Sequence, residues 1–424
     1  MCPVSDDRTH HEAVRPFSQS TIPVGWLLSD DNAGVDMKFN DVVRFVLDSP
    51  DYRTPLCLLG PPGTGKTSIG PAVAEAMTIR RREKDPLAPA AVCTVLDLSS
   101  RLPEDIGGLP YIVNGVTKYA AQSWLARLCE PGTYGVLVLD DLPASTPAVQ
   151  VAVRQLVLDR QIGDWKLADG VAILVTGNRR EDKSAASVLP AHFRNSVCLV
   201  NVDVDREGWC HWYARQEGHA PVVSSFLQYK DHLSKLPKDA DERGAFATPR
   251  TWAKLGRLFD HANKSGMLLD VAAGLVGEGV AIEFVAFVNV RANLVDPADI
   301  LRDPEKAIPN PRQYLDTPDK VYAAMTGIAE TAAAWVLKGG KEAKTAERQF
   351  LLAMAHLADG HQEYAPVAIN TYSANLKMHV AAKAARKLIQ SLTQTFMNDL
   401  SNNEKVRALV EYTVKVMDGG SNGR

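Results

Sequence analysis

An excess of charge of one sign is what this chain of 424 residues most plainly lacks: 47 Lys and Arg face 50 Asp and Glu, a formal net charge of −3. That balance gives no electrostatic case for nucleic acid as the main partner, because phosphate-binding surfaces show as a basic excess. The one dense basic run, Arg80-Arg81-Arg82-Glu83-Lys84, reads as a solvated face. A disulfide framework is missing too. The six cysteines (Cys2, Cys57, Cys93, Cys129, Cys198, Cys210) are scattered without any C-x-x-C, and four fall in apolar runs, as free core thiols do. A reducing, cytoplasmic compartment is therefore expected, and the polar N-terminal residues contain no apolar signal core. The most apolar stretch, Leu268 to Val290, carries Asp270, Glu278 and Glu283 with three glycines. Those groups are costly in lipid, so a core helical region is expected and no membrane partner. Competing metal chemistry is also lacking: His356 and His361 have no third ligand at metal spacing.

What is present is concentrated in eight residues. Gly60-Pro61-Pro62-Gly63-Thr64-Gly65-Lys66-Thr67 fits G-x-x-x-x-G-K-[ST], with Ser68 opening the helix behind it. Backbone N–H groups in such a turn make a nest for phosphate oxygens, and its glycines allow angles and approaches that a Cβ forbids. Lys66 places a point charge on the β/γ-phosphates, Thr67 can ligate Mg²⁺, and the helix adds its positive end. The context agrees. Pro55 to Leu59 is a short apolar run of the kind a buried strand has, and Ser68 to Met77 reads as a helix.

From Pro55 to about Val202, apolar runs alternate with helical patterns, the signature of a parallel α/β sheet. The runs are Pro55–Leu59, Val92–Leu96, Val136–Leu139, Val171–Thr176 and Val197–Val202. A helix is announced by Ser145-Thr146-Pro147, a hydroxyl cap with proline at the first position. Tyr111–Tyr119 reads as a hairpin around Asn114-Gly115, and Gln161–Leu167 as a second around Gly163-Asp164. After Asp205 helices take over, and Pro297, Pro304, Pro309 and Pro311 mark a break. The last helix places Val406, Leu409, Val410, Thr413, Val414 and Met417 on one face, behind a Ser401/Glu404 capping box. Three domains are expected: 1–205 α/β nucleotide-binding, 206–310 an α-helical lid, and 311–424 a helical C-terminal extension.

Two further strands end in chemistry. Val136 to Leu139 runs into Asp140-Asp141, carboxylates suited to hold a metal's water shell (Asp140) and to activate an attacking water (Asp141). Val171 to Thr176 runs into Gly177-Asn178, an amide that either orients that water or caps a turn. Farther on, Thr248-Pro249-Arg250 puts an arginine, whose planar fork suits phosphate, at a helix start.

In this order, Gly60–Thr67, Leu139-Asp140-Asp141, Thr176-Gly177-Asn178 and Pro249-Arg250 resemble the Walker A, Walker B, sensor 1 and sensor 2 of AAA+ ATPases. With the two hairpins as helix-2 insert and pre-sensor-1 hairpin, and with Pro103 to Pro110, Val149-Gln150 and Leu156 to Arg160, the chain resembles the MoxR type over about residues 20 to 310. The resemblance implies a P-loop AAA+ parallel core with two hairpin insertions, a helical lid, ATP and Mg²⁺ as cofactors, and a homo-hexameric ring. It also implies chaperone-like remodelling, often with a partner carrying a von Willebrand A domain, with Asn178 as sensor 1 and Arg250 as sensor 2. Two departures stand out. Relatives end Walker B in Asp-Glu where this chain has Asp140-Asp141, a carboxylate one methylene shorter. Relatives place the arginine finger about where Ser196 stands; Arg194 is the nearest substitute, with Arg160, Arg179 and Arg180 as rivals. The expected function is an ATP-driven remodelling ATPase whose Tyr111, Tyr119 and Trp165 either touch a client or pack their own hairpins. The alternatives are a slow nucleotide-gated scaffold, motivated by Asp141 and Ser196, and a nucleic-acid motor, which the charge balance argues against.

Overall fold

A computed structural model describes residues 35–49, 52–179, 189–214, 216–236, 244–376 and 403–409, with Gln394 and Tyr412 besides. These all fall within one unit, Val35–Arg424. Six parallel strands make the central sheet: β1 (Val35–Lys38), β2 (Leu56–Leu59), β3 (Val92–Asp97), β6 (Tyr134–Asp140), β9 (Gly170–Gly177) and β10 (Cys198–Asp203), in the order β1-β10-β2-β9-β6-β3. The hairpins are β4 (Leu109–Val113) with β5 (Val116–Ala120), and β7 (Gln161–Ile162) with β8 (Trp165–Lys166).

The central strands read as unbroken apolar runs because both faces of the sheet are covered. Side chains alternate between the faces. Leu56, Leu58, Val136, Val138 and Leu174 meet α1 (Phe39–Asp48) and α2 (Lys66–Arg82) on one side. Cys57, Leu137, Leu139, Ile173 and Val175 meet α3 (Pro103–Gly107), α4 (Ser123–Cys129) and α5 (Pro147–Asp159) on the other. Thr146 caps α5 as its sequence announces, accepting from the Val149 N–H at 3.4 Å. Asn114 and Gly115 both take positive φ, 50° and 73°, the geometry of a two-residue hairpin turn.

β1 and α1 are absent from the sequence expectation. Val35-Asp36-Met37-Lys38 is four residues long, half polar, and on the sheet's edge, so no apolar run marks it. Among the described residues no strand follows β10. The helices are α6 (Ala191–Arg194), α7 (Arg206–Tyr213), α8 (Pro221–Tyr229), α9 (Pro249–Lys264), α10 (Leu268–Val276) and α11 (Glu278–Ala292), then α12 (Pro297–Arg302), α13 (Pro304–Ala307), α14 (Pro311–Tyr314), α15 (Pro318–Lys338), α16 (Ala346–Leu357) and α17 (Ala365–Asn375). The apolar stretch after Leu268 is two helices, broken at Gly277 with φ 88°. No described helix is long and apolar enough to cross a membrane. The crowded prolines do not interrupt the helical region: Pro297, Pro304 and Pro311 each begin a short helix, where a missing N–H costs nothing.

Two apolar clusters hold the helices. One packs Phe226, Trp252 and Phe284 with ring centroids 5.3–5.6 Å apart, joining α8, α9 and α11. The other surrounds α15 and α16, with Phe350 stacked on Tyr372 at 4.7 Å, and takes in Val406 and Leu409. Tyr322 and Ala323 of α15 belong to the first cluster, so that helix serves both. Of the last expected helix, residues 404–409 are described; Asn403 Oδ1 accepts from the Val406 N–H at 3.2 Å in the capping role. Ser401, Val410, Thr413, Val414 and Met417 lie outside the described residues.

Candidate functional site

All the singled-out strand ends lie at the carboxyl edge of the sheet, where α/β folds bind ligands. β2 delivers Gly60 to Gly65, β9 delivers Asn178, and β6, on the far side of β9, delivers Asp140 and Asp141. The loop is built for tight curvature: Gly63 and Gly65 take φ of 77° and 91°, and Thr64 Oγ1 donates to Pro61 O at 2.9 Å. Pro61 is buried and Pro62 half-buried within it. Gly65 caps α2, and the Ser68 N–H donates back to Gly65 O at 2.9 Å.

Lys66 is 7% exposed. Its Nζ donates to Gly60 O (2.8 Å), Pro61 O (2.7 Å) and Asn178 Oδ1 (2.9 Å). A phosphate entering the loop would replace neutral acceptors with a charged one, a stronger bond for the same ammonium. Asn178 thus touches the loop's lysine across a separation of 112 residues. Thr67 Oγ1 donates to both carboxylate oxygens of Asp140, at 2.9 and 3.0 Å. This hydroxyl and carboxylate at the mouth of a phosphate loop are the hard oxygen donors that Mg²⁺ takes, with phosphate and water completing its shell. Among the described residues no three His, Cys, Asp or Glu side chains gather to hold a metal unaided.

Asp141 takes φ 56° and ψ 40°, a left-handed backbone that costs about 1 kcal/mol outside glycine. Its carboxyl lies above the ordinary carboxylate range, raised first by burial and then by Asp140; Lys66 opposes this and Asp97 adds to it. Asp97 sits beside Asp140 in the β3–β6 register, a neighbour that no sequence motif singles out. Thr176, read in the sequence only beside Asn178 in the Thr176-Gly177-Asn178 motif, takes a place of its own in the site. It is 1% exposed, and its hydroxyl donates to Asp140 Oδ1 and accepts from the Asp141 N–H at 3.2 Å. The available signals are its place before Gly177-Asn178 and a hydroxyl closing the apolar run Val171 to Val175.

The helical region reaches the site through the start of α9. Thr248 caps that helix and lies against the loop so closely that a Cβ on Gly63 would meet its Oγ1 at 2.8 Å. The Arg250 N–H donates to Gly63 O at 3.3 Å, with the Arg250 side chain exposed. The arginine rivals separate. Arg160 is 6% exposed, and its guanidinium donates to Tyr52 O (2.9 Å), Ala168 O (2.8 Å) and Val171 O (2.6 Å). It is a structural residue. At the end of β10, burial and then Asp36 raise the Asp203 carboxyl, and the charge of Arg179 draws it back. Arg194 is exposed on α6; Arg180 lies outside the described residues.

Comparison with known proteins gives the same reading of the core. No curated protein matches the chain. Among solved structures it is similar to the Caenorhabditis elegans protein PCH-2 at 16% identity, covering 59% of this chain and 63% of that one, with a TM-score of 0.27. The chain thus spans under two thirds of that relative. It is similar to the Aeropyrum pernix ORC2 protein at 10% identity, covering 85% and 92% with a TM-score of 0.33. To a DNA polymerase III gamma subunit-related protein of Thermotoga maritima it is similar at 13% identity, covering 90% and 97% with a TM-score of 0.27. These overlaps are too loose to bear on function. The family model is more direct: residues 56–198 match the ATPase family associated with various cellular activities, AAA. That span runs from β2 through Lys66, Asp140 and Asn178 to the start of β10, and so this chain carries an AAA+ ATPase domain.

Proposed function

We propose that the chain binds ATP with Mg²⁺, hydrolyses it, and uses the cycle to remodel a protein partner, as MoxR-type ATPases do. The observation that supports nucleotide binding and hydrolysis is the pairing of Lys66 with Asn178 and, one residue on, of Thr67 with Asp140, with the start of α9 seated on the loop at Gly63. Gly60 to Ser68 hold the phosphates, Thr67 and Asp140 hold the metal, Asp141 activates water, and Asn178 and Arg250 read the γ-phosphate. Bound Mg²⁺ supplies charge neutralisation between the phosphates. A nucleotide that touches both the loop and α9 couples hydrolysis to movement of the helical region.

In this reading the chain forms a ring, a homo-hexamer, in the cytoplasm; the five described cysteines are all free thiols, which suits a reducing compartment. Arg194, exposed on α6, reaches a neighbouring subunit's nucleotide as a finger in trans. The client is a protein, with a von Willebrand A partner as the adaptor. The first hairpin supports the protein client: Leu109, Tyr111, Ile112, Val116 and Tyr119 are 45–77% exposed. Aromatic and aliphatic groups left in water on a paired strand are a contact surface.

Steady-state ATP hydrolysis with oligomer mass, with and without ATP and Mg²⁺, tests this. Turnover that rises with protein concentration and is lost in Lys66→Ala and Asp141→Asn is expected. Arg194→Ala should keep ATP binding and lose about a thousandfold in turnover. Mixing it with Lys66→Ala should restore part of the rate, because each variant completes the other's site. Absence of ATP binding sinks the reading. A slow nucleotide-gated scaffold is the second reading, favoured by Asp141, a short carboxylate on a strained backbone. ATP-driven assembly with negligible turnover is its signature.

A further inference from the structure

We infer that Thr176 is the positioning residue that sets the relative geometry of the two acids, holding Asp140 through its carboxylate and Asp141 through its backbone. The inference rests on the ATPase reading above for its kinetic consequence, and on geometry alone for the rest. Thr176 has one hydroxyl proton, given to Asp140 Oδ1, and the lone pairs of the same oxygen receive the Asp141 N–H. One atom therefore fixes a side chain and the next residue's main chain. The residue is buried at the end of β9, and both acids are half-buried.

A second contact on the same strand makes the arrangement stiff. Gly177 lies so near the loop after Asp141 that a Cβ there would meet Pro143 Cδ and Cγ at 2.4 Å. The loop is closed from its other side by Ser145 Oγ donating to Leu142 O at 2.7 Å, and by Gln150 Nε2 donating to Ser145 O at 3.2 Å. Asp141 is thus held in a left-handed backbone at φ 56° by partners before and after it. A left-handed residue turns its side chain away from the strand direction, so releasing the N–H would let the carboxylate re-aim. A second-acid side chain one methylene shorter than glutamate leaves less slack for such a shift, since a small misplacement of a reacting group costs up to about a hundredfold in rate.

The test compares Thr176→Val, which keeps shape and removes the hydroxyl, with Thr176→Ser, which keeps the hydroxyl. In the nucleotide-free full chain, hydrogen exchange of the Asp141 amide should rise about tenfold in the valine variant, as expected for one lost bond. The serine variant should stay within about threefold of wild type. In ATP hydrolysis the valine variant should lose at least about tenfold in kcat with KM within about twofold, and serine should recover most of it. Unchanged amide exchange in the valine variant overturns the inference, as does unchanged kcat. A serine variant as impaired as valine also overturns it, by assigning the effect to methyl packing. A wild-type chain that does not turn over ATP refutes the proposed function separately, while the exchange comparison still decides the positioning claim.

Discussion

At the scale of single residues, the arginines show how little a residue type says without its surroundings. Arg194 is the finger the sequence favours, and Arg160 is one of its rivals. Arg160 follows α5 with φ 55° and turns its guanidinium inward onto three carbonyls, pinning the loop at Tyr52 to Ala168 and to Val171 at the start of β9. Replacing it by methionine should cost about 2–3 kcal/mol, because buried carbonyls lose charge-assisted donors. Urea unfolding measures this; an unchanged midpoint would show that water replaces the donors without loss. Lys66 was legible outright, since the motif itself states its task. Thr176 was legible as part of a motif but its contacts were not, because Asp140 and Asp141 lie at the end of another strand and only the β6–β9 register brings them near.

Elements were legible in proportion to their burial. The doubly covered strands announce themselves as apolar runs, and the Asn114-Gly115 turn fixes its hairpin locally. The edge strand β1 escapes because partners supply its pairing and its own residues do not. The prolines after Asp296 read as a break because proline ends one helix as readily as it begins the next; the residues on its C-terminal side decide which. The hairpins also carry a prediction. Tyr111 and Trp165 are 45% and 36% exposed, so Tyr111→Ala and Trp165→Ala should leave the chain folded, with a stability loss of no more than about 2 kcal/mol. The same variants should lose stimulation of ATP hydrolysis by the protein partner. If stimulation survives, the aromatics serve only their own hairpins.

For the whole molecule, the helical region is joined by a buried ion pair that no motif foretells. Arg291 of α11 makes a two-pronged contact with Glu330 of α15, and Ser225 of α8 donates to the same carboxylate at 2.5 Å. The pair ties α8 and α11 to the long helix that both apolar clusters share. Glu330→Gln leaves a guanidinium without its counter-charge and should lower stability by about 3–5 kcal/mol in denaturant unfolding. A loss below about 1 kcal/mol would mean that Arg291 finds water instead.

The sequence by itself determined the phosphate loop, the carboxylates behind it and the alternation of strands and helices from β2 to β10, because each is written in contiguous residues whose chemistry or periodicity acts locally. Tertiary structure alone decided which groups touch. Sheet order set β9 between the lysine strand and the acid strand, so that Asn178 reaches one and Thr176 the other. The aromatic cluster of α8, α9 and α11 carried Thr248 onto Gly63, and burial removed Arg160 from the surface. Contacts between distant residues depend on register and packing across the whole core, and no local pattern encodes these.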